Sequence, residues 1–470
     1  MSGEHRAVEV AAMVRSLLVR ATRFVPLRDF LRDRRGVTAF MFTASAVGFM
    51  GMAGFGMEIS TWYLERRHGQ NTADAAAVAG VLQLVQNAKD FSSAQTAGRN
   101  VATDNGYTSG SSNATVTIQP GTWSSGSFGA DATGTCSASC NAIQATIVRA
   151  VPRSFTALLL GKGPTNVTEV ATAALTTPSM ACSLALGGGL SFSGSAAVTT
   201  STCTLSSNMT GPQSISFTGA GANKTQANAI LVGSGGCTQS GSGSPCTQPG
   251  NMMYQPPTTD PYQALQTDPS AIPAAVNGTN CKSSATATSP YVISTGVFCV
   301  GADLTVSTGN TVNLASGTYF FYNSSIKTSG GSLTCTSCTI IFTGSAANKM
   351  GQLSINGGTI NMSAAKTAAY ADTNYNGLLF YMDAQYSEHS SACGSAQVSI
   401  QGSPMVTLNG GMYFPNASVC MTGNTFSGTE SCLSLVGWSI TYTGNTTENL
   451  TGCSTTGTAT AKNNTVALVQ

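Results

Sequence analysis

The residues best placed for chemistry are few. Cys335-Thr336-Ser337-Cys338 is a CxxC pair. Such a pair does redox work when a helix start lowers the thiol pKa, and a zinc site would need two further ligands nearby. Here it lies between two expected strands, which points to a structural disulfide, with redox and metal binding as alternatives. Glu388, His389 and Cys393 put an acid, an imidazole and a thiol together, the types a covalent catalyst uses. They fall in a Ser-rich segment, and a surface loop with an oxidised Cys393 explains them better. Asp372, Asp383 and Glu388 form the densest acidic set, and Asp303 is a further acidic residue of the β-rich part. Two of them could serve as acid and base in glycan cleavage, or all could be solvated loop residues. GxSxG, HExxH and P-loop patterns are absent from the sequence. No catalytic residue, cofactor or metal ligand is assigned, and the chain is expected not to be an enzyme. The sequons at Asn208, Asn277 and Asn416 are expected by chance in a chain this rich in Asn, Ser and Thr.

The cysteines carry more information as a set. There are 14, none in the first 135 residues. An even count in a Gly- and Ser-rich host reads as a disulfide framework of an oxidising compartment. Pairing each with its next neighbour gives Cys136–Cys140, Cys182–Cys203, Cys237–Cys246, Cys281–Cys299, Cys335–Cys338, Cys393–Cys420 and Cys432–Cys453.

The elements that hold these residues are short. From Met180 onward, apolar runs such as Val297–Val300, Leu304–Val306, Val312–Leu314 and Thr318–Tyr322 recur between Gly, Ser, Thr and Asn. Strands this closely spaced suit a parallel β-helix of about twenty residues per coil, with a β-sandwich as the alternative. Stacked coils lie about 4.8 Å apart, within reach of a disulfide. Cys182–Cys203, Cys281–Cys299 and Cys432–Cys453 are therefore expected to staple adjacent coils. Residues 233–290 are rich in Gly, Ser and Pro and read as a loop insertion.

Val37 to Met57 contains no charge, and a helix of that length matches a bilayer core of about 30 Å. Residues 1–35 hold eight Arg against four acidic residues. That excess predicts a cytoplasmic N-terminus and an exported remainder. A buried core helix and a cleaved signal peptide are the alternatives. The apolar run continues well past Ala44-Ser45-Ala46, which favours a retained anchor. Val10, Val14, Leu17, Ala21 and Phe24 form a stripe that suits either a surface-lying helix or a loose basic tail before Pro26. A net charge of +2 gives no support to nucleic-acid binding.

Arg34-Arg35-Gly36, the apolar span, Glu58, Tyr63-Leu64-Glu65-Arg66-Arg67, Gln70-Asn71 and Ala73-Asp74-Ala75-Ala76-Ala77 follow in order. This stretch resembles the N-terminal segment of TadG-like proteins of the Tad (tight adherence) system, which assembles Flp pili. The match continues through Ile143–Val148, the turn Val151-Pro152-Arg153-Ser154-Phe155 and Val167–Ala174, and more loosely at Asn376–Asp383 and Gly410–Ala417. The family usually has Asp at the position of Glu58, and Leu-Gln where this chain has Gly69-Gln70. Gly69 is expected to weaken the helix by about 1 kcal/mol. Related pilins have Glu five residues after the cleaved Gly; here that residue is Met41, so processing of the pilin kind is not expected.

The resulting division is a basic cytoplasmic tail over 1–35, an anchor over 36–58, a helical stalk with a small α+β domain over 59–178, and an exported β-rich domain over 179–470. The resemblance implies a bacterial inner-membrane protein acting by contact in pilus assembly, envelope anchoring or adherence. Its implied partners are inner-membrane assembly proteins and pilus or envelope components. The alternative is a membrane-tethered protein that binds or cleaves glycans.

Overall fold

The structure, a computed structural model, describes residues 37–86, 90–111, 113–131, 140–157, 161–176, 179–194, 196–219, 227–240, 244–267, 272–370, 372–387, 393, 397–402, 406–423, 432–448 and 450–469. The basic tail, Arg34, Arg35, Gly36, Cys136, Glu388 and His389 lie outside them. The fold is mainly β, with one long apolar helix and few others.

Helix α1, Val37–Gln86, runs 50 residues without a Pro. Its first half exposes Phe40, Phe42, Phe49, Met50 and Met57. By length and composition it is the one helix among the described residues able to cross a membrane. Within this exposed stretch Glu58 is 6% exposed, while Ile59, Tyr63 and Leu64 after it are exposed again. Further along, Ala73, Ala76, Ala77, Val81 and Leu84 are fully buried; the spacing of Ala73, Ala76, Ala77, Gly80 and Leu84 predicts one small-residue face here. Gly69 does not break the helix. A Cβ there would come within 3.3 Å of the Glu169 side chain, so glycine permits close packing that offsets its poor propensity. Helix α2, Phe91–Asp104, starts separately. Asp90 caps it, accepting the backbone N–H groups of Ser92 at 3.1 Å and Ser93 at 3.2 Å.

A five-stranded sheet contains β1 (Ala114–Ser124), β2 (Ser127–Ala130), β3 (Ala142–Val151), β4 (Thr165–Thr176) and the C-terminal strand Thr465–Leu468, in the order β2-β1-β3-β4-C-terminal strand. Ala114, Val116 and Ile118 of β1 alternate inward. The last strand runs antiparallel to β4, with Leu468 opposite Ala173. The chain forms two compact units. One holds α1 up to Ala76 with residues 99–117 and 145–171; the other holds residues 77–98, 118–144 and 172 onward.

The second unit carries a mixed 20-stranded sheet among the described residues. Most of its pairings are parallel. Val297–Val300 pairs with Gly317–Tyr322, Leu304–Ser307 with Ile326–Ser329, and Thr311–Leu314 with Ser332–Thr343. Each triple of strands thus lies beside the next, and Val297, Thr318 and Thr339 stand in register. Antiparallel partners occur too, at Tyr291–Ser294 against Val297–Val300 and at Ala461–Lys462 against β5 (Met180–Ser193). Corners use unusual backbone: Ser337 has φ 63° and Gly410 φ 143°. At Gly410 a Cβ would meet that of Ala364.

Strand order departs from chain order at one joint. Leu433–Tyr442, near the end of the chain, pairs in parallel with β5. β5 in turn pairs with β6 (Ala197–Ser207) and with Ile215–Thr218. The segment once read as an insertion, 233–290, is the connection from this block to the opposite end of the ladder at Tyr291. It contains its own strand, Cys237–Gln239, and a short helix, Ala264–Thr267. Tyr262, Leu265 and Val276 of this connection pack with Phe320, Ile341, Tyr381, Tyr413 and Val436. Phe342, Phe380, Met412 and Leu435 belong to the main core. Strands such as Leu378–Met382 are consequently buried at every position and read as unbroken apolar runs.

Candidate functional site

In the first unit the Glu58 carboxylate is the organising group. Oε1 accepts the Ser154 N–H at 3.1 Å and the Thr156 hydroxyl at 2.8 Å. Oε2 accepts the N–H groups of Phe155 at 2.9 Å and Thr156 at 2.8 Å. Pro152 has no N–H to continue the β3 ladder, so the chain turns and presents three consecutive donors. A carboxylate satisfies all three, as at a charge-assisted helix cap. The acidic residue and the Val-Pro-x-x-Phe turn, separate in the sequence, are thus one structure.

About two helical turns further out sits a network not anticipated from sequence. Glu65 accepts the Tyr107 hydroxyl at 2.7 Å and pairs with Arg149 at 3.1 Å. The Arg149 guanidinium lies 5.1 Å from the centre of the Tyr107 ring. Burial, then the Glu65 carboxylate, push the Tyr107 phenol well above its usual value. Arg66 pairs with Glu169 at 3.2 Å. The available signal was the rarity of charge: Arg149 and Glu169 are the charged residues of strands β3 and β4. Asp74 accepts from Gln70 Nε2 at 2.7 Å, a contact within α1.

The cysteines fall close together. Cα separations are 5.5 Å for Cys182–Cys203, 5.6 Å for Cys237–Cys246, 5.3 Å for Cys281–Cys299, 6.0 Å for Cys335–Cys338, 5.5 Å for Cys393–Cys420 and 4.7 Å for Cys432–Cys453. All are disulfide distances. Cys140 is buried, 3.9 Å from Asp131. Cys182 and Cys203 lie on the paired strands β5 and β6. Cys281 lies in the long connection, and Cys453 in the short helix Cys453–Thr456. Those two pairs tie the ladder to its covering segments, because the residues one repeat away in sequence are not ladder strands there.

The expected acidic set is dispersed into structural roles. Asp303 accepts from Ser325 N–H and Lys327 Nζ. Asp372 caps the turn at Asn374. Asp383 is buried and accepts from Thr343. None of these three lines a cleft of about 580 Å³ bordered by Asn208, Asp260, Gln263, Asn416, Trp438 and Asn464 among others. Sequence reading missed this cleft, since its lining comes from segments far apart in the chain. Burial raises Asp260 above the usual carboxylate range despite hydrogen bonds from Tyr262 N–H and the Tyr413 hydroxyl. The Trp438 ring lies against Gly187 and Gly188, where any Cβ would overlap it. Among the described lining residues Asp260 is the one carboxylate, and the amides of Asn208, Gln263, Asn416 and Asn464 share the cleft with the Trp438 indole.

Comparison with known families bears on the first of these sites. Residues 36–88 match the family Tad, described as Flp pilus-assembly TadE/G-like. Residues 75–173 match Tad_C, described as Tad-like Flp pilus-assembly. No curated protein and no solved structure matches the chain. The matched stretch contains Glu58, the turn that surrounds it and the Glu65–Tyr107–Arg149 network. The N-terminal region of this chain is therefore that of a TadG-like Tad protein.

Proposed function

We propose that this chain is a membrane-anchored component of Flp pilus assembly that acts by contact. The observation that carries the reading is the pair of overlapping pilus-assembly matches over residues 36–173. The first half of α1 would cross the inner membrane, with the basic tail in the cytoplasm and the strands outside. Its exposed Phe and Met side chains support this, because such a surface is costly in water. The Glu58 turn would fix the angle at which the exported part leaves the span. The ladder of parallel triples is proposed to be a parallel β-helix, stapled by its disulfides into a rigid arm toward pilus or envelope components. The domain division at 36, 58 and 178 belongs to the same proposal.

The test is topology. In whole cells the chain should resist alkaline extraction from membranes. External protease acting on spheroplasts should degrade the part beyond Glu58 and leave a tag before Gly36 intact. Extraction into the soluble fraction, or a protected C-terminus, would count against the reading.

The cleft around Trp438 supports a second reading, binding of neutral glycans by the β-rich part. Calorimetric titration with a panel of neutral oligosaccharides tests it. Binding lost in Trp438→Ala would favour this reading, and no heat with any member would count against it.

A further inference from the structure

Phe155 is an unusual residue to leave in the open. It is 53% exposed, yet its ring lies on α1 at Gly54, where a Cβ would overlap it. Gly54 is four residues before Glu58, so the ring sits about 6 Å toward the span from the carboxylate that holds its own N–H. Around it α1 exposes Phe55, Met57 and Ile59. On the other side of Glu58 comes the exposed Tyr63, with Arg67 5.9 Å from the centre of its ring. A Tyr with an Arg one turn further out suits a membrane–water boundary. An aromatic ring held on the apolar side of such a boundary is placed in lipid.

On these grounds we infer that the turn at residues 152–157 is a second membrane contact, with Phe155 inserted as a wedge beside the anchor into the leaflet that Glu58 faces. The occupant is the bilayer itself, because the exposed Phe155 ring lies on the apolar span at Gly54, whose neighbour Phe55 is exposed too. Three backbone N–H groups in that turn would be costly near hydrocarbon, and Glu58 satisfies them. Glu58 thus lets a turn of chain approach the lipid. The consequence is mechanical: a helix free to swivel would be fixed in rotation by a wedge on one side. The inference rests on the anchor reading proposed above.

The test is site-specific photo-crosslinking in the full chain reconstituted in phosphatidylethanolamine and phosphatidylglycerol vesicles. A benzophenone-bearing phenylalanine is placed at Phe155, at Phe49 on the exposed face of α1, and at Tyr254, which is 70% exposed in the second unit. Lipid adducts are expected at 155 and 49 and not at 254. An adduct at 49 without one at 155, or capture of protein in place of lipid at 155, overturns the wedge and leaves the anchor intact. Adducts at neither 49 nor 155 overturn the anchor and the wedge with it. Phe155→Trp gives an independent check. Brominated lipid should quench more emission than in the parent protein, and equal quenching overturns the inference.

Discussion

Thr156 donates its backbone N–H to Glu58 Oε2 at 2.8 Å across 98 residues of sequence. Glu58→Gln would set an amide NH₂ against N–H donors and should open the turn. Trypsin acting on the detergent-solubilised chain should then cut after Arg153 faster than in the parent, with cutting after Lys282 unchanged. Equal rates at Arg153 would show that the turn holds without the carboxylate.

Glu448 is fully buried, accepts from Tyr442 and Ser183, and is pushed up to about 7 by burial, against an ordinary value of 4.5. Its folded form therefore keeps a proton that the unfolded chain releases. Stability should be greatest below about pH 4.5, fall as pH rises to about 7, and level off above. The span corresponds to about 3 kcal/mol. Denaturant unfolding at several pH values checks this, and Glu448→Gln should remove that fall.

The Cys182–Cys203 pair closes 21 residues and Cys335–Cys338 only three. Loop-closure entropy assigns about 3 kcal/mol to the first and about 2 to the second. Cys182→Ser with Cys203→Ser should thus lower the denaturation midpoint more than the corresponding change at Cys335 and Cys338. The reverse ranking would point to a native-state role for the tight pair.

Phe192 stacks between Phe217 at 4.6 Å and Tyr442 at 5.3 Å, bridging the joint where Leu433–Tyr442 meets β5. Phe192→Ala should cost about 3–5 kcal/mol. Hydrogen exchange should show the loss of protection on both Leu433–Tyr442 and Ile215–Thr218. A loss confined to one side would mean the blocks are held together by other contacts.

Much of this was legible from sequence where the signal is local. The uncharged run from Val37 to Met57, the small-residue face from Ala73 to Leu84 and the short β runs each follow from periodicity. Neighbouring cysteines fell within reach because a β chain that doubles back quickly keeps near neighbours near. What escaped depends on long-range pairing. Nothing near Leu433 signals that it will lie beside β5, and nothing near Thr465 signals that it will join β4. Tyr413 and Asp260 meet because the long connection folds back over the ladder, and composition alone gave that segment as a loop.

The claim that the chain serves Flp pilus assembly is tested most directly by counting surface pili by electron microscopy in a deletion strain complemented in parallel. The full chain should restore pili, and a chain with Glu58→Gln and Phe155→Ser at comparable abundance should restore fewer. Normal piliation in the deletion strain would contradict the account.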